Sequence, residues 1–157
     1  MSVQYILLDT NCLLVLIIGL IDQDLLRRFS KTKDQKYLDS FEVLISYYDN
    51  PKIVFVSNSF IMCELSHQSI EHKDFPQDYQ KHFISVIQNL LQGNKIVIIE
   101  SDLNAIIANN SVYWLGFTDT ACLESSGQIR LCTFDRQLAQ ESYNNPNIQT
   151  QLFPLGS

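Results

Sequence analysis

Short apolar runs alternate along this chain with longer segments in which apolar residues recur at three- and four-residue steps. The short runs are rich in β-branched residues and predict strands at 5–8, 53–56, 95–99 and 129–134, with an edge strand within 149–155. The longer segments predict helices, at 11–20, 37–48, 78–91 and 136–143. Strands that alternate with helices predict an α/β protein with a mainly parallel sheet covered on both faces.

Local signals place two further helices. Ser57 and Ser59 follow a predicted strand and are candidate N-caps for a helix that carries Glu64. Thr118 is a candidate N-cap for a helix that starts near Asp119.

Composition narrows the class of protein. The 157 residues, of which 46% are hydrophobic and 18% charged, fit one globular domain spanning 1–157 without a linker or repeat. The net charge of −6 excludes a protein that is basic overall and binds nucleic acid through that charge. An anionic substrate would therefore have to meet a local basic patch or a bound metal.

The apolar run 12–21 is the most hydrophobic part of the chain, and Gly19 weakens the end of the helix it predicts. Its ten residues are too few for a membrane span, which needs about 20. The N-terminus also lacks the basic region of a signal peptide, so we expect a cytoplasmic protein without a membrane partner. The cysteines form no C-x-x-C pair and are predicted to be small buried residues in a reducing compartment; they are Cys12, Cys63, Cys122 and Cys132.

Four carboxylates stand beside apolar sequence instead of in charged stretches. Asp9 follows the first predicted strand and Asp135 ends the fourth, while Glu64 and Asp119 lie early in predicted helices. In a parallel sheet these positions converge on the edge formed by the carboxyl ends of the strands, where ligands bind. Clustered carboxylates favour hard cations such as Mg²⁺ or Mn²⁺. With no Ser–His pair or Walker loop, the set predicts metal-assisted hydrolysis of a phosphodiester bond by water.

The same residues carry a resemblance to a known family. Leu7-Leu8-Asp9-Thr10-Asn11, the mid-chain helical Glu64, Thr118-Asp119-Thr120-Ala121 and Thr133-Phe134-Asp135-Arg136-Gln137-Leu138 resemble, in that order, the motifs of PIN domains. The resemblance extends from the first predicted strand to the last predicted helix.

This resemblance implies a three-layer α/β/α sandwich and a Mg²⁺- or Mn²⁺-dependent ribonuclease. By position, Asp9, Glu64, Asp119 and Asp135 would be the catalytic metal ligands, and Asn11 and Thr133 would orient them. Many small PIN proteins are toxins of bacterial toxin–antitoxin pairs and are often dimers. The partners implied are therefore RNA, an antitoxin and a second copy of the chain.

Other interpretations of the acids stay open. Asp119 and Asp135 are also typical residues at helix N-termini, where they complement the dipole or cap the helix. The chain could be a PIN-like RNA- or protein-binding module without activity. A phosphohydrolase of the haloacid dehalogenase type also begins with an aspartate after its first strand, but its second aspartate is Asn11 here.

Candidate RNA contacts lie outside the acidic set. The stretch 27–36 contains five cations and one anion and is either a solvated loop or a phosphate-binding arm; its cations are Arg27, Arg28, Lys31, Lys33 and Lys36. Trp114 is predicted to lie in the core, with stacking on an unpaired base as the alternative.

Overall fold

Five parallel strands form the centre of the computed structural model, which describes residues 2–124, 129–145 and 148–153. The strands are β1 Gln4–Leu8, β2 Ile53–Asn58, β3 Ile96–Ile99, β4 Ile129–Thr133 and β5 Ile148–Leu152. Each neighbouring pair is parallel, which confirms the predicted α/β class with a parallel sheet. Residues 154 and 155, included in the predicted edge strand, lie outside the described residues.

Eight α-helices flank the sheet within the described ranges. They are α1 Thr10–Ile21, α2 Gln23–Arg28, α3 Gln35–Asp49, α4 Ser59–Gln68, α5 Gln80–Gln92, α6 Leu103–Ala108, α7 Val112–Glu124 and α8 Arg136–Ser142, with a 3₁₀ helix at Gln77–Tyr79. Consecutive residues Ile6, Leu7 and Leu8 point to opposite faces of β1, and each is at most 1% exposed. Both faces of the sheet are therefore covered, as a three-layer α/β/α sandwich requires.

The order of the strands, β3-β2-β1-β4-β5, creates a switch point in the sheet between β1 and β4. The chain proceeds from β1 to β2 and β3 on one side, then returns to lay β4 on the other side of β1. In the register, Leu7 is the partner of Val56 on β2 and of Leu131 on β4. The direction of winding thus reverses between β1 and β4, and open parallel sheets bind ligands beyond the carboxyl ends of the strands at such a switch point.

Helix α1 forms the centre of one layer. Its residues 12–19 are all buried, and the helix packs against α3, α4 and α5. This burial explains the unbroken apolar run, because a helix that is hydrophobic all round needs neighbours all round. The described part of the chain contains no helix that is both long and apolar enough to cross a membrane.

One predicted helix start is wrong. Asn58, not Ser57 or Ser59, caps α4: its side-chain oxygen accepts a hydrogen bond from the backbone N–H of Ile61 at 2.9 Å. Helix α7 extends from Val112 and is interrupted at Gly116, whose φ of 80° and ψ of −179° are not helical, so its second half begins close to the predicted start near Asp119. A positive φ costs glycine little, which allows the chain to turn between the two halves of α7.

Gly19 does not end α1, which continues to Ile21. A Cβ at this position would collide with the ring of Phe41 on α3, so the glycine permits close packing of the two helices.

Gly19→Ala should therefore destabilise the protein, although alanine is favoured over glycine in helix interiors by about 1 kcal/mol. Overpacking at such a contact costs roughly 1–3 kcal/mol, so the free energy of unfolding in urea should fall. In a Phe41→Leu background the same change should cost less, because the smaller side chain leaves room. Equal costs in the two backgrounds would contradict the steric explanation.

Candidate functional site

Asp9 occupies the switch point directly after β1 and is only 6% exposed. It is the N-cap of α1: one carboxylate oxygen accepts a hydrogen bond from the backbone N–H of Cys12 at 2.9 Å. The other oxygen accepts a short hydrogen bond from the hydroxyl of Thr133. Burial raises the pKa of Asp9, and these hydrogen bonds oppose that rise by stabilising the charged form.

Thr133, the last residue of β4, links Asp9 to the second strand of the switch point. Its fully buried hydroxyl donates to Asp9 and accepts a hydrogen bond from the backbone N–H of Asp135 at 2.9 Å. Asp135 in turn caps α8, accepting from the N–H groups of Gln137 at 2.8 Å and Leu138 at 3.1 Å. Asp135 is thus a helix cap and a neighbour of Asp9 through one shared hydroxyl.

The electrostatics of Asp119, on α7, show that the four predicted acids share one region. The pKa of Asp119 is raised to about 7, first by burial and then by the negative charges of Asp135, Asp9 and Glu64, in that order. Protonated Asp119 also forms a hydrogen bond with Asp135, which favours the neutral carboxyl. The structure therefore brings Asp9, Glu64, Asp119 and Asp135 together, as their positions beside the predicted elements indicate.

Three buried polar atoms without hydrogen-bond partners in the described part of the chain belong to residues next to Asp9 and Asp119 in the sequence or at the end of β2. The hydroxyls of Thr10 and Thr120, adjacent in sequence to Asp9 and Asp119, have no hydrogen-bond partner within the described residues. The same is true of the side-chain Nδ2 of Asn58 at the end of β2. Sequence reasoning overlooked these residues; the signal was the polar run Ser57-Asn58-Ser59 after a β-branched strand. Such orphaned groups gain free energy if a ligand or water reaches them.

The donor set suits a hard cation in its chemistry. Its members are carboxylates, and burial together with their mutual repulsion raises the pKa of Asp119. The hydroxyls of Thr10 and Thr120, unpaired within the described ranges, belong to the residues that follow Asp9 and Asp119 in the sequence. In residues 2–124, 129–145 and 148–153, however, no three His, Cys, Asp or Glu side chains are already arranged to hold a metal ion. Metal ligation by these four acids stays a prediction, as does an orienting role for Asn11, which is half-buried in the first turn of α1.

The basic stretch divides into two parts. Arg27 pairs with Asp24 at 3.1 Å on α2, and Arg28 donates to the hydroxyl of Tyr79 at 3.3 Å. The remaining cations, Lys31, Lys33 and Lys36, are exposed. The ammonium of Lys36 lies 4.9 Å from the ring centroid of Tyr37, and that ring packs edge-on against Phe134, the residue before Asp135 in the sequence, with 4.7 Å between ring centroids.

Two predictions of burial are wrong. Trp114 is 49% exposed, not part of the core, and its indole N–H donates to Glu141 of α8 at 3.2 Å. Cys63 is exposed and its sulfur lies 3.7 Å from Nε2 of His67, whereas Cys12, Cys122 and Cys132 are buried as predicted.

Fold and site together define an α/β protein with an acidic cluster at the switch point of a parallel sheet. The chain matches no protein-family model, no curated protein and no solved structure.

The raised pKa of Asp119 predicts a pH-dependent stability in metal-free buffer. The folded-state pKa of about 7 exceeds the ordinary 3.8, so the folded protein binds the extra proton between these values. The free energy of unfolding should therefore fall as pH rises through this window. Asp119→Asn should flatten the fall and, above pH 7, melt at or above the wild type in EDTA.

Asp102→Asn is the matched control for this measurement. Asp102 caps α6, where its carboxylate accepts from the N–H of Ala105 at 3.2 Å. Its replacement should shift the melting curve by a constant amount and leave the pH slope unchanged. A wild-type slope in Asp119→Asn would show that another group controls the pH dependence.

Proposed function

We propose that this chain is a metal-dependent ribonuclease of the PIN type, which hydrolyses RNA phosphodiester bonds with water as the nucleophile. The observation that carries the proposal is the convergence of four carboxylates at the switch point, close enough for Asp135, Asp9 and Glu64 to raise the pKa of Asp119. Like charges are costly to gather in a fold, and gathered carboxylates mark functional sites more often than structural ones.

In this proposal Mg²⁺ or Mn²⁺ would be held by Asp9, Glu64, Asp119 and Asp135. When bound, such a cation lowers the pKa of its water and neutralises charge on the phosphoryl oxygens. The chain itself supplies positioning: Asp9 is fixed by hydrogen bonds from Thr133 and Cys12, and Asp135 by two backbone N–H groups. Glu64 is restrained more weakly, since Gln68 donates to it at 3.4 Å.

The PIN resemblance extends the proposal to partners and location. A toxin of a toxin–antitoxin pair would act in the cytoplasm, bind a cognate antitoxin and form a homodimer. A small antitoxin-like reading frame beside the gene, together with co-purification of its product, would support this extension. A monomer without such a neighbour would limit the proposal to the nuclease activity.

A binding module with the same fold but no activity is the second candidate. It is favoured by one observation, that no three ligands among the described residues are already arranged for a metal. The cleavage experiment separates the two functions, because a binding module retains RNA without cutting it.

Single-stranded RNA incubated with the protein and Mn²⁺ or Mg²⁺ should be cleaved to fragments with 5′-phosphate ends, and EDTA should stop the reaction. Asp9→Asn and Asp119→Asn should both lose cleavage. The cation should stabilise the wild type by about 2.7 kcal/mol at a hundredfold excess over Kd, and the variants less. Asparagine retains the capping ability of Asp9, so loss of activity would not reflect loss of α1. Cleavage that survives EDTA, or that survives both substitutions, would refute the metal-dependent mechanism.

Lys31, Lys33 and Lys36 should account for the salt dependence of RNA binding. Replacing each with glutamine should reduce the slope of log K against log salt by about 0.7 per lost contact with a single strand. Arg27→Gln is the matched control, since that guanidinium already pairs with Asp24 on α2. A triple variant with the wild-type slope would identify this stretch as a solvated loop.

A further inference from the structure

Two aromatic residues lie on α4 and α7, the helices that carry Glu64 and Asp119 of the acidic cluster. Phe60 lies one helical turn before Glu64 on α4, and Phe117 lies two residues before Asp119 on α7. The two rings are 6.3 Å apart between centroids, and Phe117 is 53% exposed. The pair therefore joins α4 to α7, the two helices that carry Glu64 and Asp119.

Trp114 lies three residues before Phe117 on α7 and contacts α8, the helix that Asp135 caps. Its indole N–H is tied to Glu141 on α8, yet half of the side chain remains exposed. The hydrogen bond restrains the ring without burying it. Gly116, with its non-helical backbone, separates the segment that presents Trp114 from the one that presents Phe117. We call Phe60, Trp114 and Phe117 the aromatic rim.

Exposure of such rings needs an explanation, because large apolar side chains are more stable when buried and exposed apolar patches mark binding sites. The charge of the neighbouring side chains limits the kinds of ligand that could bind here. Two carboxylates lie near the rim, since Glu64 follows Phe60 by one helical turn on α4 and Glu141 accepts the hydrogen bond from Trp114. Without a bound cation these carboxylates would repel phosphate. A ligand held here must therefore offer a neutral, flat surface to the rim, as a nucleobase does.

We propose that the aromatic rim is a stacking subsite for the unpaired bases of single-stranded nucleic acid. Once stacked, the bases would hold the adjoining phosphate at the acidic cluster. The inference rests on the proposed function, since it assigns the rim to the same substrate. Bases in a duplex are already stacked and paired, so the subsite selects single strands. Stacking also involves no released counterions, so it adds affinity that salt does not remove.

Trp114 is the only tryptophan in the chain, so its fluorescence reports on the rim without any need for cleavage. The full chain should be titrated with a short oligouridylate, once in EDTA and once in Ca²⁺. Saturable quenching is expected with the single strand in at least one series. The same oligouridylate annealed to oligoadenylate, and an abasic ribose-phosphate oligomer, should give little quenching.

Phe117→Ala should raise the Kd by about 5- to 150-fold, the loss expected for one stacked base. Phe117→Leu should also weaken binding, because it keeps an apolar side chain but removes the ring. Tyr5→Leu is the matched control: Tyr5 is an exposed aromatic residue at the opposite end of β1 from Asp9, and its replacement should leave Kd unchanged. Thermal melting of each variant checks that the fold is retained.

No quenching in either series, equal quenching by the duplex, or an unchanged Kd in both Phe117 variants would overturn the subsite. Phe117 variants that dissociate a dimer while binding the oligomer normally would also overturn it and identify the rim as a contact between protein chains. Quenching without cleavage would refute the proposed ribonuclease but support the subsite. Cleavage without quenching would support the proposed ribonuclease but overturn the subsite.

Discussion

The hydrogen bond from Thr133 to Asp9 is the interaction on which the centre of this structure depends. Asp9 is buried at the switch point, where an uncompensated carboxylate would cost several kcal/mol. Its two oxygens are satisfied by the start of α1 and by the end of β4. Because Thr133 also accepts from the N–H of Asp135, one hydroxyl connects β1, β4, α1 and α8. Asp9, a member of the acidic cluster, is therefore also the residue that links the end of β1 to α1 and β4.

This arrangement gathers negative charge where the fold is least able to solvate it. Backbone N–H groups at helix N-termini donate hydrogen bonds to Asp9 and Asp135 and fix these two carboxylates. Burial raises the pKa of Asp9, and the hydrogen bonds from Thr133 and Cys12 oppose that rise. Burial and the neighbouring carboxylates raise the pKa of Asp119 to about 7. Strongly shifted pKa values are concentrated at functional sites, which is why the cluster supports the proposed function.

The sequence was sufficient for the parts of the structure that depend on periodicity. The hydrophobic pattern predicts the end of β1 at Leu8 and the end of β4 at Phe134, one residue beyond the observed Thr133. Burial of the apolar run in α1 follows from the same kind of pattern. The helix cap of α4 did not follow, because Ser57, Asn58 and Ser59 are all good caps and the strand register chooses among them. The hydrogen bond of Arg28 could not be predicted either, since its partner Tyr79 lies 51 residues away in the sequence. Exposure of Trp114 likewise depends on α8, which no local pattern relates to it.

An acidic protein that binds a polyanion must solve a problem that a basic one does not have. In the proposed ribonuclease the net charge of −6 and the carboxylate cluster both oppose the approach of RNA. In that proposal two features of the surface would act against this repulsion. The exposed Lys31, Lys33 and Lys36 would attract phosphate over a distance set by the salt concentration. The aromatic rim would act only at contact and would be less sensitive to salt. The lysines would therefore govern the rate at which RNA and protein meet, and the rim would govern the lifetime of the complex.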